Sequence, residues 1–144
     1  MTSIRKYYER DQRRLIDLLR GVQDAKEIGP DRAHRAFSKF RAKLERHIAC
    51  EEKVLFPRFD ETNGLLKGGP TAVMRVEHRQ IRRLLDEIGE KLLRGEMDTD
   101  AEQIVLLELL YAHQQQERAV VYPTMDKALN TTELRKLIRL KANR

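Results

Sequence analysis

Apolar residues recur along this chain at steps of three or four, the spacing of one face of an α-helix. In the stretch YYERDQRRLIDLL, residues 7–19, the inward stripe runs through Tyr8, Gln12, Leu15 and Leu19. Three further segments carry similar stripes, and each of them includes a histidine. An amide therefore stands in the first stripe where the other segments have an imidazole. The pattern predicts four amphipathic helices whose shared core contains polar side chains.

The members of each stripe define the predicted core. In chain order the stripes are Ile4, Tyr8, Gln12, Leu15, Leu19 and Val22; then Phe37, Phe40, Leu44, His47, Glu51 and Val54; then Met74, His78, Ile81, Leu85, Ile88 and Leu92; and finally Leu106, Leu110, His113, Glu117 and Val120.

Glycine and proline clusters at 29–30, 64–70 and 95 separate these segments. They predict helices over 3–26, 31–60, 71–94 and 99–129, followed by a short helix over 131–142. Short connections between long helices predict an all-α, up-down-up-down four-helix bundle with a short C-terminal fifth helix, forming one domain over 1–144 with the bundle at about 3–129. Ser3 is the expected cap of the first helix, and Thr131 or Thr132 that of the fifth. Pro57 and Pro123 are expected to kink or locally end their helices.

A shift of 66 residues superimposes one half of the sequence on the other. His47 then falls on His113 and Glu51 on Glu117, so a His-x-x-x-Glu pair recurs on the inward face. Helical patterning alone does not explain this pair. The repeat predicts two helical hairpins, related by an approximate two-fold axis, that pool their polar residues at mid-bundle. Further matched positions are Gln12 and His78, Leu44 and Leu110, Val54 and Val120, Pro57 and Pro123, and Asp60 and Asp126.

The two inward glutamates need a partner, because an ionised carboxylate buried alone costs several kcal/mol. One account protonates them beside histidine or pairs them with inward arginines. The other account neutralises the two glutamates with divalent cations, and imidazoles complete the coordination of those cations. A histidine at i and a glutamate at i+4 share a helix face and can reach one centre. Carboxylate and imidazole ligands in a bundle core suit iron or manganese, with zinc as an alternative, and we favour this metal account.

The motifs RHIACEEKVLFP, VEHRQIRRLL and AHQQQERAVVYP together resemble the hemerythrin-like (HHE) cation-binding domain, and the resemblance extends to about residue 129. It implies a four-helix bundle around a non-haem di-iron site, with two iron ions joined by an oxo or hydroxo bridge. Carried over, His47, His78 and His113 resemble terminal ligands. Glu51 and Glu117 resemble bridging carboxylates.

This sequence departs from the family pattern at two positions. The histidine expected on the first helix is Gln12, and a second histidine of the oxygen carriers is Met74. Both departures argue against reversible oxygen transport. Gln12 is predicted to be a weak ligand or a hydrogen-bonding support for one, against the alternative of a non-functional replacement. Tyr8, one turn earlier, is either a core aromatic residue or a phenolate ligand that would favour ferric iron.

Composition and charge do not favour a different interpretation from that of a metal-binding helical bundle. The chain carries 40% hydrophobic and 36% charged residues and a net charge of +6, but its acidic and basic residues are interleaved. That mixture is typical of a solvated helix surface and does not favour a nucleic-acid partner. The single cysteine, Cys50, fits a reducing compartment and is expected to pack in the core. Without an apolar run of about 20 residues or a signal-peptide core, the chain is expected to be cytoplasmic and not membrane-bound.

The leading functional hypothesis is a non-haem di-iron protein that senses or handles O2, peroxide, NO or iron. Peroxide-consuming or oxidase-like activity stays open, although no dedicated acid–base residue beyond the ligands stands out. Three alternatives remain: a non-catalytic, metal-stabilised module whose C-terminal ELRKLIRLKANR contacts a protein partner; a site holding one metal because of Gln12; and a metal-free bundle that binds an anionic partner. Glu52 and Glu77 are expected to support ligands or to lie at the surface, and His34 is expected at the surface.

Overall fold

The computed structural model describes residues 3–64 and 69–142, so the predicted connection at 64–70 lies partly outside the described residues. Within those ranges the chain is helical apart from short connections and contains no strand, which confirms the all-α class. The elements are α1 Ile4–Ile28, α2 Pro30–Cys50, π1 Glu51–Leu55, α3 Phe56–Thr62, α4 Pro70–Leu93, α5 Asp100–Gln116, π2 Glu117–Val121, α6 Tyr122–Ala128 and α7 Thr131–Ala142.

The start of α1 is held by two side chains. The Ser3 hydroxyl accepts a hydrogen bond from the Lys6 backbone N–H at 3.3 Å, so the predicted cap is confirmed. Asp126 of α6 adds three more bonds, because its carboxylate accepts from the Ser3 hydroxyl at 2.9 Å and from the backbone N–H groups of Ile4 at 2.7 Å and Arg5 at 3.2 Å. These bonds satisfy N–H groups that have no partner inside the helix, and they tie α6 to the first turn of α1.

The cap of the fifth helix lies one residue earlier than predicted. Asn130, not Thr131 or Thr132, accepts from the Glu133 N–H at 2.9 Å, and the Glu133 carboxylate accepts in return from the Asn130 N–H at 3.3 Å. This reciprocal pair is a capping box. Asparagine is at least as good a cap as threonine, and the glutamate three residues on selects this position.

Two five-residue π-helical segments interrupt the second and fourth predicted helices. Each begins at a glutamate of the repeat, Glu51 or Glu117, and each ends two residues before a proline. A proline ring cannot donate a hydrogen bond to the preceding turn and would clash with its carbonyl. The wider π turn ahead of each proline accommodates this, and the chain stays helical across Pro57 and Pro123.

The π segments also correct the predicted core. Because a π turn contains an extra residue, the inward face moves one position along the chain. Leu55 and Val121 are buried at 1% and 0% exposure, whereas the predicted Val120 is 40% exposed and Val54 only half-buried. The other stripe positions are buried as predicted. A uniform helical period therefore fails only where the helical hydrogen-bonding pattern changes.

The long helices pack in sequence, α1 against α2, α2 against α4, and α4 against α5, while α6 and α7 pack on α1. The core has two hydrophobic clusters. One contains Phe37, Phe40 and Leu85 towards the Gly29 and Gly95 connections, and the other contains Phe56 and Tyr122 towards α7. Between them the stripes carry polar residues instead of apolar ones. Across the described residues, no helix combines the length and apolar character that crossing a membrane requires.

Candidate metal centre

The polar layer between the two clusters is almost sealed from solvent. Four elements supply it: α1, the α2–π1 segment, α4 and the α5–π2 segment. Its members are each 4% exposed or less: Gln12, His47, Glu51, His78, His113 and Glu117. Each lies on the inward stripe of its helix, between the apolar residues that form the rest of that stripe. The structure thus brings together the six residues that the repeat singled out.

Two groups of ligand-type atoms overlap in this layer. Glu51, His78 and His113 offer one ligand atom each within 4.8 Å of one another, and His47, Glu51 and Glu117 form a second such group. Glu51 belongs to both. Its carboxylate lies 2.9 Å from His47, 3.7 Å from His78 and 3.9 Å from His113.

The distances in the layer are those of groups arranged around a common centre. His47 Nε2 lies 2.9 Å from Glu51 Oε1, and His113 Nε2 lies 3.3 Å from Glu117 Oε1. His78 Nε2 and His113 Nε2 are 3.0 Å apart. In all three histidines the Nε2 atom faces the centre.

A carboxylate contacts the outer nitrogen of each histidine. Asp11 Oδ2 lies 2.7 Å from His47 Nδ1, Glu52 Oε2 lies 3.1 Å from His78 Nδ1, and Glu77 Oε1 lies 3.2 Å from His113 Nδ1. Such a partner holds the imidazole with its proton on Nδ1 and its lone pair on Nε2, which is how proteins present histidine to a metal. Every donor histidine is thus oriented from outside.

Sequence reasoning found only part of this outer layer. It assigned Glu52 and Glu77 a supporting or surface role and missed Asp11. The repeat carries the missing signal, because the 66-residue shift places Asp11 on Glu77 just as it places His47 on His113. Gln114, which is buried at 3% exposure beside the centre, was also missed, and no pattern in the sequence marks it.

Gln12 completes the layer with an amide. Its Nε2 donates to Glu117 Oε1 at 3.2 Å and to the Tyr122 hydroxyl at 2.9 Å, while its Oε1 has no hydrogen-bond partner. Tyr8 lies one turn earlier, with its ring 5.4 Å from the His47 ring and 5.0 Å from that of Tyr122. The structure therefore places Gln12 and Tyr8 on the same side of the centre, with Tyr122 as a shared neighbour.

The electrostatics of the layer keep Glu51 ionised. Burial acts to raise its pKa, but the imidazoles of His47 and His113 outweigh burial and hold the pKa well below its usual range. Burial likewise acts to lower the pKa of His113, yet Glu51 and Glu77 raise it above the ordinary value. For His78, burial prevails and its pKa is lowered. The centre thus combines an ionised Glu51 with two imidazoles, His78 and His113, whose pKa values are shifted in opposite directions.

The donor set fits a metal ion. Both oxygens of Glu51, one of Glu117 and the Gln12 carbonyl oxygen are buried and accept no hydrogen bond of normal geometry. Leaving such oxygens unpaired is costly, whereas a cation satisfies them directly. The cavity bounded by His47, Glu51, His78 and His113 has a volume of about 10 Å³, room for atom-sized species and not for an organic substrate.

A helical protein with a buried histidine–carboxylate centre is the class that this fold and site define. The hemerythrin HHE cation-binding domain profile matches residues 6–125, and the chain belongs to this family. Its sequence is similar to two proteins named iron-sulfur cluster repair protein YtfE. The one from Edwardsiella ictaluri (strain 93-146) is 31% identical over 91 residues, which are 59% of this chain and 41% of the relative. The one from Salmonella schwarzengrund (strain CVM19633) is 27% identical over 89 residues, 58% and 40% respectively. The chain thus spans about two fifths of the length of these curated relatives. No solved structure matches it significantly.

Proposed function

We propose that this chain binds two iron ions joined by an oxo or hydroxo bridge and uses them to sense or handle a small species such as O2, peroxide, NO or iron itself. The observation that carries the proposal is Glu51. It is fully buried, it is held ionised, both of its oxygens are unsatisfied, and it belongs to both groups of ligand atoms. A carboxylate in that state is suited to bridge two cations.

The proposed ligands divide unequally between the two ions. His78 and His113 serve one position, and His47 serves the other, with Glu51 and Glu117 shared. The second position lacks an imidazole from α1. The Gln12 carbonyl oxygen, which has no partner, and the Tyr8 phenol are the candidates to complete it. To do so the Gln12 amide would rotate, because its nitrogen now faces Glu117. Manganese or zinc could occupy the same donors.

The cavity limits what the centre can handle. Its volume of about 10 Å³ is close to that of a single water-sized probe, which supports a ligand of very few atoms over a larger substrate. When bound, iron would supply an electrophilic position for such a ligand. The chain's own contribution is to orient the imidazoles, keep Glu51 ionised and exclude bulk water. Among the buried groups of residues 3–64 and 69–142, none apart from the proposed ligands and their carboxylate partners is placed as a dedicated acid or base.

A second candidate follows from the relatives. Both are named as iron-sulfur cluster repair proteins, and the similarity covers 59% and 58% of this chain. A centre with one weaker position could release iron to a damaged cluster on a protein partner. Because the chain spans about two fifths of those relatives, the repair activity of the whole protein is a proposal here and not an inherited property.

The finer architecture belongs to the same proposal. We infer that the four long helical segments run up-down-up-down and form one domain with α7. The sequential packing of α1 on α2, α2 on α4 and α4 on α5 supports this path, as do the short connections at Gly29 and Gly95. An iron centre with a single, buried cysteine beside it also fits a reducing compartment such as the cytoplasm.

Metal analysis tests the proposal most directly. Protein reconstituted anaerobically with Fe(II) and then oxidised should hold about two irons per chain and show the near-ultraviolet absorption of a bridged ferric pair. One iron per chain would mean that the Gln12 side does not bind, and the di-iron proposal would be wrong. No bound metal of any kind would remove the metal assignment.

A pair of substitutions sharpens this test. Glu51→Gln should remove both irons, because both groups of ligand atoms depend on that carboxylate. Glu108→Gln, which neutralises an exposed carboxylate on the same bundle, should retain both. Peroxide turnover by the loaded protein then separates an enzyme from a non-catalytic module. Retention of both irons in Glu51→Gln would contradict the bridging role.

A further inference from the structure

The internal repeat reveals how the centre became unequal. Each of the four helical segments supplies the inward residue of one quarter of the polar layer, and a quarter consists of that residue and the side chain on its outer side. In three of these quarters the inward residue is a histidine and its outer nitrogen contacts a carboxylate. Two of the pairs, Asp11 with His47 and Glu77 with His113, are equivalent under the 66-residue shift. The third pair is His78 with Glu52. Its equivalent positions are Gln12 and Arg118. In the fourth quarter, therefore, the amide of Gln12 stands in place of an imidazole, and the guanidinium of Arg118 stands in place of the carboxylate.

Arg118 is a partly exposed residue, 39% accessible, that contacts α1 one turn before Gln12 through Glu9. Its Nε atom is buried and has no hydrogen-bond partner, and the nearest carboxylate oxygen, on Glu9, is 3.8 Å away. That oxygen already accepts from Arg5 at 3.0 Å. The charge of Arg118 also acts on the Tyr122 hydroxyl, opposing the rise in pKa that burial causes there. Tyr122 is the residue that accepts from Gln12.

The residues packed around Gln12 also differ from their repeat equivalents around His78, and they are more polar. Phe56 stacks on His78 with ring centroids 5.5 Å apart, and its equivalent is Tyr122, whose hydroxyl bonds the Gln12 amide. Met74 is likewise replaced by Tyr8. An amide finds hydrogen-bond partners here, in Tyr122 and Glu117. A histidine at position 12 would meet the Tyr122 phenol on the side of the centre. On its outer side it would meet the Arg118 guanidinium, which can only donate hydrogen bonds.

We propose that Arg118 is the positioning residue that determines the donor at position 12. Its guanidinium stands where a carboxylate would have to orient an α1 imidazole, so this quarter accepts a neutral amide and rejects a histidine ligand. The inference rests on the proposed metal centre. An imidazole introduced at position 12 would keep its proton on Nε2 and donate it to Glu117, as the amide does now. Without an inward lone pair it cannot bind a metal.

The test is a double-mutant cycle over Gln12→His and Arg118→Glu. The affinity for the second metal equivalent is measured by titration with Co(II). In the Arg118→Glu background, adding Gln12→His should improve this affinity about tenfold or more. In the native chain, adding Gln12→His should leave it essentially unchanged. Arg118→Gln in place of Arg118→Glu separates loss of the positive charge from supply of a carboxylate, and we expect it to give no such gain. Equal gains from Gln12→His in all three backgrounds would overturn the proposal.

A second readout needs no metal. Imidazole ¹⁵N shifts of the metal-free proteins should place the proton of the introduced ring on Nε2 in Gln12→His and on Nδ1 in the double variant. The same tautomer in both would contradict the role of Arg118, whereas a native chain that binds no metal would contradict only the proposed function. As the mirror experiment, Glu52→Arg should move the His78 proton from Nδ1 to Nε2, and the control Glu45→Arg, a carboxylate that contacts Arg82 and no histidine, should leave it in place.

Discussion

The Nε2 atoms of His78 and His113 lie 3.0 Å apart, while the Nδ1 atom of each faces a carboxylate on the side away from its partner. Two imidazole nitrogens that both present lone pairs repel one another unless a proton or a cation lies between them. Helices α4 and α5 therefore hold this pair at a distance that requires a proton or a cation between the two nitrogens.

The first prediction concerns that pair. His113→Ala should lower the iron content by at least one ion per chain, because it removes an imidazole from the better-supplied position. His34→Ala should leave it unchanged, since His34 lies on α2 well away from the polar layer. Metal analysis after reconstitution measures both. Full iron content in His113→Ala would rule out that residue as a ligand.

The second prediction concerns metal and stability. The unsatisfied oxygens of Glu51 and Glu117 gain partners when a cation binds, so metal should stabilise the folded state. At a free metal concentration of about 100 times Kd the gain is about 2.7 kcal/mol, and Tm should rise by about 5–10 °C for a chain of this size. Thermal unfolding with and without Fe(II) checks this. A chelator should reverse the rise, and an unchanged Tm would show that the carboxylates need no cation.

The third prediction separates packing from site support. Phe56 and Phe40 are both fully buried, but only Phe56 stacks on His78. Phe56→Leu and Phe40→Leu should each cost about 1–2 kcal/mol of unfolding free energy. Only Phe56→Leu should also weaken metal binding, because its ring restrains the His78 imidazole. Denaturant unfolding and metal titration of the pair test this. Equal effects on metal affinity would reduce Phe56 to a packing role.

The fourth prediction concerns acid stability of the metal-free protein. The folded pKa of Glu51 lies below its ordinary value of 4.5. The unfolded chain therefore takes up this proton before the folded chain does, and stability contributed by the ionised form is present above about pH 4.5 and lost as pH falls below it. Glu51→Gln should flatten the fall of unfolding free energy below that pH. Glu108→Gln should keep the native slope, and a native slope in Glu51→Gln would contradict the depressed pKa.

The fifth prediction concerns the join between α6 and α1. Asp126 accepts from the Ser3 hydroxyl and from the backbone N–H groups of Ile4 and Arg5. Asp126→Ala should cost about 1–2 kcal/mol, the usual loss for a helix cap. Metal content should not change, because the bonds lie beyond the polar layer. Asp24→Ala, at an exposed position on α1, should cost less than about 0.5 kcal/mol. Denaturant unfolding of the two variants gives the comparison, and equal costs would contradict the capping role.

Much of the molecule could be predicted from the sequence alone. Helical periodicity predicted the long helices to within a few residues and put Gln12, His47, His78 and His113 in the core, because a stripe of three- and four-residue steps can only mark one face of a helix. It went wrong where that premise failed. The π segments move the inward face by one residue, so Leu55 replaces Val54 in the core.

Contacts between helices could not be predicted in this way. Periodicity along one helix says which way a side chain points, but not which atom of a neighbouring helix it meets. Asp11 on His47, Glu52 on His78 and the Gln12 amide between Glu117 and Tyr122 arise only when the helices are packed. The sequence by itself thus determined the helices, the repeat and the inward donors. Only the tertiary structure decided which carboxylate contacts each imidazole and which groups the Gln12 amide bonds. These hydrogen bonds join atoms of different helices, so their distances are set by how the helices pack.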